Sequence, residues 1–350
     1  MRMLRAQVAG VCTAVGLALG AADTAGAQGI ISNGTVKMGI DRLGQLNIPG
    51  GAASAQGTTT VGLRFLTGGR EFESTADGCL CEGWGVGING GTTGAGQKGY
   101  ADNSSGIAGL TAVSFTSTAT SATSVTRVGS FLEITHEYVP APGTPYLYQV
   151  NVTITNISGS TLGVGSDGIR YRRLMDWDIQ PTAFSEVVTL QGWPATALLR
   201  SSDDGFQSAD PFSSIGGTLC TGAPNSANFT ASGPCDHGAL FDFGFPALAA
   251  GASQTFQTFY GGAPDVATML AALGTVGAEV YTTAWCGGTS SVSGVTCNGR
   301  GGPAVFAYGF KGVGGTALPP PDVVPEPSTY AMLASGLVGV GLVARRRRAA

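Results

Sequence analysis

Residues 146–157 read Tyr-Leu-Tyr-Gln-Val-Asn-Val-Thr-Ile-Thr-Asn-Ile. Apolar and polar side chains alternate along this stretch, and the alternation has a period of two. One set is apolar and consists of Tyr146, Tyr148, Val150, Val152 and Ile154. Side chains that alternate in this way lie on opposite faces of a β-strand. The stretch therefore predicts a strand in an antiparallel sheet that has one face against a core.

The same alternation continues on both sides of this stretch. Residues 124–139 alternate over a long segment, and the Pro- and Gly-containing turn at 140–145 predicts that they pair antiparallel with 146–157. Further predicted strands are 59–66, 111–120, 169–179, 186–190, 239–245, 254–260 and 304–310, with a hairpin at 35–48, loops at 68–109 and 201–234, and one helix at 266–273. The predicted fold class is all-β, an antiparallel β-sandwich with long Gly-rich loops and one short helix.

The N-terminus has the pattern of a secretory signal peptide. Arg2 and Arg5 precede an apolar region at 6–22, and Ala25-Gly26-Ala27 supplies small residues before Gln28. Residues 1–27 are therefore expected to bring the chain to the Sec translocon and to be removed by signal peptidase. The predicted β-sandwich body covers residues 28–318.

The body is acidic and poor in charge. The 350 residues carry a net charge of −4, and 57 of them are glycine. Six of the 18 basic residues lie at the two termini; leaving out these and Asp23 gives 12 basic and 21 acidic residues, a net charge of −9. An acidic body argues against a nucleic-acid partner.

The C-terminal residues 319–350 contain a spacer, a short motif, an apolar run and a basic cluster, in that order. Pro319-Pro320-Pro321 is the spacer and Val324-Pro325-Glu326-Pro327 is the motif. Residues 330–344 carry no charge and predict a single transmembrane helix, which at about 1.5 Å per residue is short for a hydrocarbon core of about 30 Å. Arg345, Arg346, Arg347 and Arg348 are expected to stay in the cytoplasm.

This tail resembles the PEP-CTERM sorting signal of exported proteins from exopolysaccharide-producing Gram-negative bacteria. The resemblance rests on Val324-Pro325-Glu326-Pro327, the apolar run and the terminal arginines, about the last 27 residues. It implies that an exosortase, a membrane-embedded cysteine peptidase, recognises the tail and cuts near Pro325. It also implies an inner-membrane intermediate and then the outer envelope, cell surface or extracellular matrix as destination. An ordinary C-terminal membrane anchor is the alternative.

Six cysteines remain after the signal peptide is removed. They are Cys79, Cys81, Cys220, Cys235, Cys286 and Cys297. An even number in an oxidising compartment predicts disulfides, although six cysteines allow 15 connectivities. Pairing of Cys220 with Cys235 and of Cys286 with Cys297 would close short loops. Cys79 and Cys81 would then pair with each other or exchange with those loops.

The densest polar and aromatic cluster is residues 171–178, which ends in Asp176-Trp177-Asp178. In a strand the two carboxylates share one face and Trp177 takes the other. One interpretation is an ion-pair network with Arg170, Arg172 or Arg173. The others are a carbohydrate or calcium site and a glycosidase pair.

Two further places are candidates for binding. Trp84, in a Gly-rich segment after Cys81, would offer a ring to a sugar or would instead cap the core. Asp203 and Asp204 are carboxylates in a loop that suits calcium, although the spacing is not that of an EF-hand. Residues 85–90 formally match the dinucleotide fingerprint, but no helix pattern follows them.

The sequence supports two hypotheses from different classes. The first is a non-enzymatic exported protein of the cell surface or of the exopolysaccharide of a biofilm matrix, with carbohydrate binding as its activity, no catalytic residues, and no cofactor except calcium. The alternative is a polysaccharide hydrolase or lyase that uses Asp176 and Asp178. The sequence contains no Gly-x-Ser-x-Gly elbow and no P-loop to support other enzyme classes.

Overall fold

The computed structural model describes residues 28–321 except 91–92, 166, 218, 221–224, 289–290, 293 and 299–301, together with Met332 and Ser335. In chain order its elements are β1 (Gln28–Ser32), β2 (Val36–Asp41), β3 (Leu63–Thr67), β4 (Arg70–Glu73), β5 (Glu82–Ile88), β6 (Lys98–Asp102), β7 (Gly106–Ala108), β8 (Thr111–Ser117), β9 (Ala122–Val128), β10 (Leu132–Pro140), β11 (Leu147–Asn156), β12 (Ile169–Asp176), β13 (Glu186–Gln191), β14 (Leu198–Ser202), β15 (Phe229–Cys235), β16 (Gly238–Phe245), β17 (Ser253–Ala263), α1 (Val266–Val276), β18 (Val280–Cys286), β19 (Ser291–Val292), β20 (Val295–Thr296) and β21 (Val305–Lys311).

The largest layer is a nine-stranded antiparallel sheet. Its order is β15-β13-β18-β21-β17-β11-β10-β9-β8. The alternating strand β11 lies inside it and pairs with β10 on one side and β17 on the other, so the predicted antiparallel pairing is confirmed. The segment predicted as one strand at 124–139 is two strands, β9 and β10, which pair with each other across the turn at 129–131.

Two smaller antiparallel sheets pack on one face of the large sheet. The six-stranded sheet has the order β14-β16-β12-β5-β6-β7, and the four-stranded sheet the order β1-β2-β3-β4. Aromatic contacts cross the interface: the rings of Phe243 in β16 and Phe310 in β21 are 4.6 Å apart, and those of Phe65 and Tyr146 are 6.5 Å apart. A core that includes residues from all three sheets fills the space between them, as the predicted sandwich requires.

The helix α1 covers the opposite face of the large sheet. The Asp265 side chain accepts a hydrogen bond from the Thr268 backbone N–H at 2.8 Å, and Gly277 ends the helix with a φ of 69°. Met269 and Leu273 are buried in a second apolar cluster with side chains of β17 and β21. The predicted helix is confirmed and extends three residues further than predicted.

Two predictions between residues 35 and 109 are wrong. The predicted loop at 68–109 contains β4, β5, β6 and β7. The predicted hairpin at 35–48 does not form either, because β2 pairs with β1 and β3, and Ile48 makes only an isolated bridge to Val61. In both cases long-range pairing decides the structure, which the local pattern does not reveal.

Close packing against another segment explains why β5 contains glycines. A Cβ on Gly85 would lie 2.0 Å from the backbone oxygen of Ala209, and one on Gly87 would lie 2.7 Å from the ring of Phe212. The strand therefore presents no side chains on this face, and the loop at 203–217 lies directly on it. Trp84, Val86 and Ile88 point the other way, into the core.

The predicted terminal segments lie outside the described residues. These are the signal peptide at 1–27 and the sorting motif with its arginines, together with the apolar run at 330–344 apart from Met332 and Ser335. Within the described part of the chain, no helix has the length and apolarity needed to cross a membrane.

Candidate functional site

Three carboxylates meet at one end of the six-stranded sheet. Asp176 is the last residue of β12, Asp178 follows two residues later, and Asp236 lies in the turn between β15 and β16. Oxygens of these three side chains all lie within 4.8 Å of one another. Trp177 points to the opposite side, where its ring centroid lies 5.8 Å from that of Tyr308 in the core. We call Asp176, Asp178 and Asp236 the acidic cluster.

The backbone of neighbouring strands holds the acidic cluster in place. The Asp176 N–H donates to the oxygen of Cys81 at 2.7 Å, and the Asp178 N–H donates to that of Ser74 at 2.8 Å. The pairing of β12 with β16 sets Asp176 opposite Gly238, two residues after Asp236. The side chains therefore converge because of sheet pairing and not because of a local turn.

Two of the three carboxylates are almost completely buried. Asp176 is 1% exposed and Asp178 is 0% exposed, whereas Asp236 is at the surface. Among the described residues, neither oxygen of Asp178 has a hydrogen-bond partner, and Oδ1 of Asp176 has none. Oδ2 of Asp176 lies 3.5 Å from the Sγ of Cys79, but that sulfur is in a disulfide and has no proton to donate. Buried polar groups without partners are rare and costly.

A third buried carboxyl, Glu186, lies beside the acidic cluster at the start of β13. Its Oε1 accepts a hydrogen bond from the Ile179 N–H at 3.1 Å, whereas Oε2 has no partner among the described residues. The charges of Asp178 and Asp176 both act on this side chain. It adds a further carboxylate to an already acidic region.

Burial and like charges shift the titration of these groups. Burial, and then the charges of Asp178 and Asp236, raise the pKa of Asp176 to about 9. Burial and the charge of Asp236 raise the pKa of Asp178 to about 8, and burial raises that of Glu186 to about 10. The folded protein therefore favours the neutral form of all three carboxyls near neutral pH.

The wall of the acidic cluster has unusual backbone. A Cβ on Gly78 would lie 2.9 Å from both oxygens of Asp178, and Gly78 has a φ of +88°. Leu80, between the paired Cys79 and Cys81, has a φ of 58°. Phe184 has a φ of 73° and is 53% exposed. Such conformations persist only where the surroundings enforce them, and they are often found near functional sites.

The arginines near the acidic cluster pair with other acids. Arg170 pairs with Asp167 at 2.6 Å, Arg172 pairs with Asp242 at 2.6 Å, and Arg173 pairs with Glu82. Within the described residues, none of the three forms an ion pair with Asp176 or Asp178. The predicted ion-pair network is therefore wrong, because the guanidinium groups extend to strands β5 and β16 and to the turn before β12.

Asp203 and Asp204 lie nearby but are already bonded. Asp203 accepts hydrogen bonds from the backbone N–H groups of Leu219 and Cys220 at 2.9 and 3.1 Å and faces the Nδ1 of His237 at 3.3 Å. Although burial opposes it, these bonds lower the pKa of Asp203. Asp204 accepts from the Phe206 N–H and from the side chain of Gln207. Both aspartates therefore stabilise the loop.

The six cysteines form three pairs: Cys79 with Cys81, Cys220 with Cys235, and Cys286 with Cys297. Two other groups of metal-ligand type each include one or two of these sulfurs, together with Asp176 or with Asp203 and His237. A disulfide sulfur is not a thiolate, so neither group has the ligands of a zinc site. The acidic cluster is the remaining group in the described residues, and all of its ligand atoms are oxygens.

Neither of the two tryptophans considered as sugar platforms is at the surface. Trp84 and Trp177 are both 0% exposed, and the indole N–H of Trp84 donates to the backbone oxygen of Leu43 at 2.8 Å. Both rings belong to the core. Stacking on a sugar would require a different aromatic residue.

A surface cleft that sequence reasoning missed contains such a residue. Trp193, Tyr281, Gln191, Asn228 and Glu279 line a cleft with a volume of about 350 Å³. Trp193 is partly buried, so part of its surface is exposed. The signal in the sequence is weak, because the lining residues come from four separate segments.

Comparison with known proteins identifies the tail. The model of the PEP-CTERM protein-sorting motif matches residues 323–348, which confirms the resemblance noted for Val324-Pro325-Glu326-Pro327 and the terminal arginines. No curated protein matches the chain. The C-terminal segment is therefore a PEP-CTERM sorting signal, and it supports export of the protein and processing by an exosortase.

Proposed function

We propose that this chain is a non-enzymatic structural or binding protein of the outer envelope, the cell surface or the exopolysaccharide matrix. The PEP-CTERM match at 323–348 is the observation that carries the proposal. The predicted signal peptide and the six paired cysteines agree with an oxidising destination. In this proposal the β-sandwich is the cargo, and exosortase separates it from the tail near Pro325.

The sorting step is tested by changing Pro325, Glu326 and Pro327 to alanine together. Epitope tags within the body and after Arg348 would report the two halves in membrane, envelope and medium fractions. We expect wild type to lose the C-terminal tag, and the triple variant to keep both tags and to collect in the inner membrane. Asp322→Asn, just outside the motif, is the control and should be processed normally. Equal processing of the triple variant would contradict the proposal.

The cleft at Trp193 favours carbohydrate as the ligand of the body. A cleft of 350 Å³ that joins two aromatic rings to amide and carboxylate side chains fits the general pattern of a small-ligand site. We expect the purified protein to co-sediment with the exopolysaccharide of its own host, and Trp193→Ala to weaken this at least tenfold. Phe206→Ala removes an exposed ring elsewhere and should have no effect. Equal co-sedimentation of the two variants would remove this cleft as the site.

The alternative is a hydrolase or lyase that uses Asp176 and Asp178. Their proximity supports it, but both carboxylates are buried, so a polymer would need a large opening to reach them. New reducing ends released from the exopolysaccharide, and lost in Asp176→Asn and Asp178→Asn, would favour the enzyme. Binding without new reducing ends would favour the non-enzymatic protein.

A further inference from the structure

The acidic cluster is assembled by the fold from distant parts of the chain. Asp176 and Asp178 leave the end of β12, and Asp236 approaches from the turn that precedes β16. Because β12 and β16 are paired along their full length, the sheet brings together the two segments that carry these side chains. The site is therefore formed by the fold and not by residues that are neighbours in the chain.

The acidic cluster also contains carboxylate oxygens that nothing in the described chain satisfies. Asp178 is 0% exposed, and both of its oxygens lack a hydrogen-bond donor. One of its oxygens lies within 4.8 Å of a carboxylate oxygen of Asp176 and of Asp236, so Asp178 is directed into the cluster. Asp178 is therefore a buried carboxyl group that lacks a hydrogen-bonding partner among the described residues, which is costly unless a ligand supplies one.

The protein itself offers little positive charge at this place. The charged groups that act most strongly on Asp176 and Asp178, apart from each other, are acidic and include Asp236 and Asp204. The nearby arginines are engaged with Glu82, Asp167 and Asp242. A bound cation would therefore supply charge that the described side chains do not.

The type of ligand atom selects the type of cation. Oxygens of carboxylates suit hard divalent ions, whereas zinc and copper sites in proteins are richer in sulfur and nitrogen. Calcium accepts six to eight oxygens in flexible geometry, at about 2.3–2.6 Å, and tolerates both one-oxygen and two-oxygen binding by a carboxylate. The exposed Asp236 opens the cluster to solvent, so water can complete the coordination.

We propose that Asp176, Asp178 and Asp236 bind one calcium ion, and that Glu186 contributes its unpaired Oε2 as a direct or water-bridged ligand. The ion would join the end of β12 to the turn before β16 and the start of β13. It would thereby link the six-stranded sheet to the nine-stranded sheet. This role concerns the body alone and is independent of how the tail is sorted.

The test uses the mature protein as it is exported, stripped with a chelator and dialysed. Calcium chloride is titrated by calorimetry, and terbium chloride is titrated with excitation of tryptophan, since Trp177 lies between two of the ligands in the chain. We expect one ion per chain, a terbium signal that calcium displaces, and an unfolding temperature that rises with calcium. Magnesium, which demands smaller and more regular geometry, should bind at least tenfold more weakly.

Two variants and a control assign the site. Asp178→Asn keeps the shape of the side chain and should lower calcium affinity at least tenfold. Asp236→Asn changes an exposed residue and should also lower it, without affecting the core. Asp210→Asn, which removes the acid paired with Lys98 in another loop, should bind calcium like wild type.

A measurement without calcium separates binding from folding. Because Asp178→Asn replaces an ionisable carboxyl beside other acids with a neutral amide of the same shape, its unfolding temperature in chelator should equal or exceed that of wild type, and calcium should no longer raise it. The proposal is overturned if wild type binds no calcium at about 10 mM, a concentration well above the dissociation constants of extracellular calcium-binding modules. It is also overturned if Asp178→Asn and Asp236→Asn both bind calcium as wild type does.

Discussion

Arg173 lies at the centre of the core, although its charge would favour the surface. It pairs with Glu82, its Nη1 donates to the backbone oxygen of Gly44 at 3.4 Å, and its guanidinium carbon lies 5.2 Å from the centroid of the Tyr260 ring. Both members of the ion pair are almost completely buried. The pair belongs to the six-stranded sheet and contacts Tyr260 of the nine-stranded sheet, so its loss affects both sheets.

Replacing Arg173 with methionine should therefore be strongly destabilising. The change leaves the Glu82 carboxylate buried without its cation, which typically costs about 3–5 kcal/mol. Urea unfolding monitored by tryptophan fluorescence gives the free energy of unfolding. Arg127→Met is the control, since it removes an exposed pair with Glu133 and should cost less than about 1 kcal/mol. Similar losses in the two variants would contradict the structural importance of the buried pair.

Glu82 should also make stability depend on pH. Burial raises the pKa of Glu82 to about 7, against the opposing charge of Arg173 and with the support of Asp41 and Asp102. The folded state holds this proton more tightly than the unfolded chain, so the stabilisation is complete below about pH 4.5 and is lost as the pH rises through about 7. Between about pH 4 and pH 8, wild type should lose up to about 3 kcal/mol relative to Glu82→Gln, at about 1.4 kcal/mol per pKa unit.

Chemical denaturation of both proteins in parallel across this pH range checks the prediction. Other carboxyls titrate in both proteins, so only the difference between them reports Glu82. A difference that does not change with pH would show that Glu82 has no shifted pKa.

Sequence reasoning identified the right residues around position 176 but not their partners. It placed Asp176 and Asp178 on one face and Trp177 on the other, which is how they lie. It could not foresee that Arg173 pairs with Glu82, because that contact depends on the register of β5 against β12. Asp236 and Glu186 were missed for the same reason, since both reach the acidic cluster only through sheet pairing.

At the scale of elements, β5 shows how a strand can resemble a loop in sequence. Its glycines alternate with Trp84, Val86 and Ile88, so the period of two was present in the apolar residues. The high glycine content nevertheless led to the prediction of a loop. The glycines are required by the close approach of another segment and do not indicate flexibility.

Gly85→Ala should test this explanation. Its Cβ would lie 2.0 Å from the backbone oxygen of Ala209, so strand or loop must shift, at a typical cost of about 1–3 kcal/mol. Gly159→Ala is the control, because no atom lies within 4 Å of its Cβ and its φ is not positive, and it should be neutral or slightly stabilising. Thermal unfolding of the two variants beside wild type gives the comparison. A neutral Gly85→Ala would mean that the covering loop is not closely packed.

At the scale of the whole molecule, the fold class followed from the sequence, but the arrangement of the sheets did not. Alternation predicted an antiparallel β protein with one helix, and this agrees with the structure. The order of the nine-stranded sheet places β21 between β18 and β17 and joins β13 to β15. Such pairings connect residues far apart in the chain, and no local pattern specifies them.

The residues that follow β21 belong to the folded body and not to the spacer. The Glu279 carboxylate accepts hydrogen bonds from the backbone N–H groups of Gly312, Val313 and Gly315 at 3.0, 2.9 and 3.0 Å. Leu318 packs against the cluster beneath α1, and its N–H donates to the oxygen of Ala278 at 2.8 Å.

The effect of C-terminal truncation on stability should therefore change sharply between Pro321 and Lys311. A chain ending at Pro321 should unfold at the same temperature as the exported protein. A chain ending at Lys311 should be less stable by about 2–5 kcal/mol, since it loses buried Val313, the contact of Leu318 and the partners of Glu279. Differential scanning calorimetry measures both. Equal stability of the two truncated chains would show that residues 312–321 do not contribute to the folded body.

The placement of β21 determines how a mechanical pull on the tail reaches the body. The strand is bonded to β17 over seven residue pairs and to β18 over six, so tension along it loads two ladders in shear at the same time. An edge strand such as β1 has only one ladder to resist the same force. A pull on the C-terminal tail that reached β21 would thus be shared between two neighbouring strands.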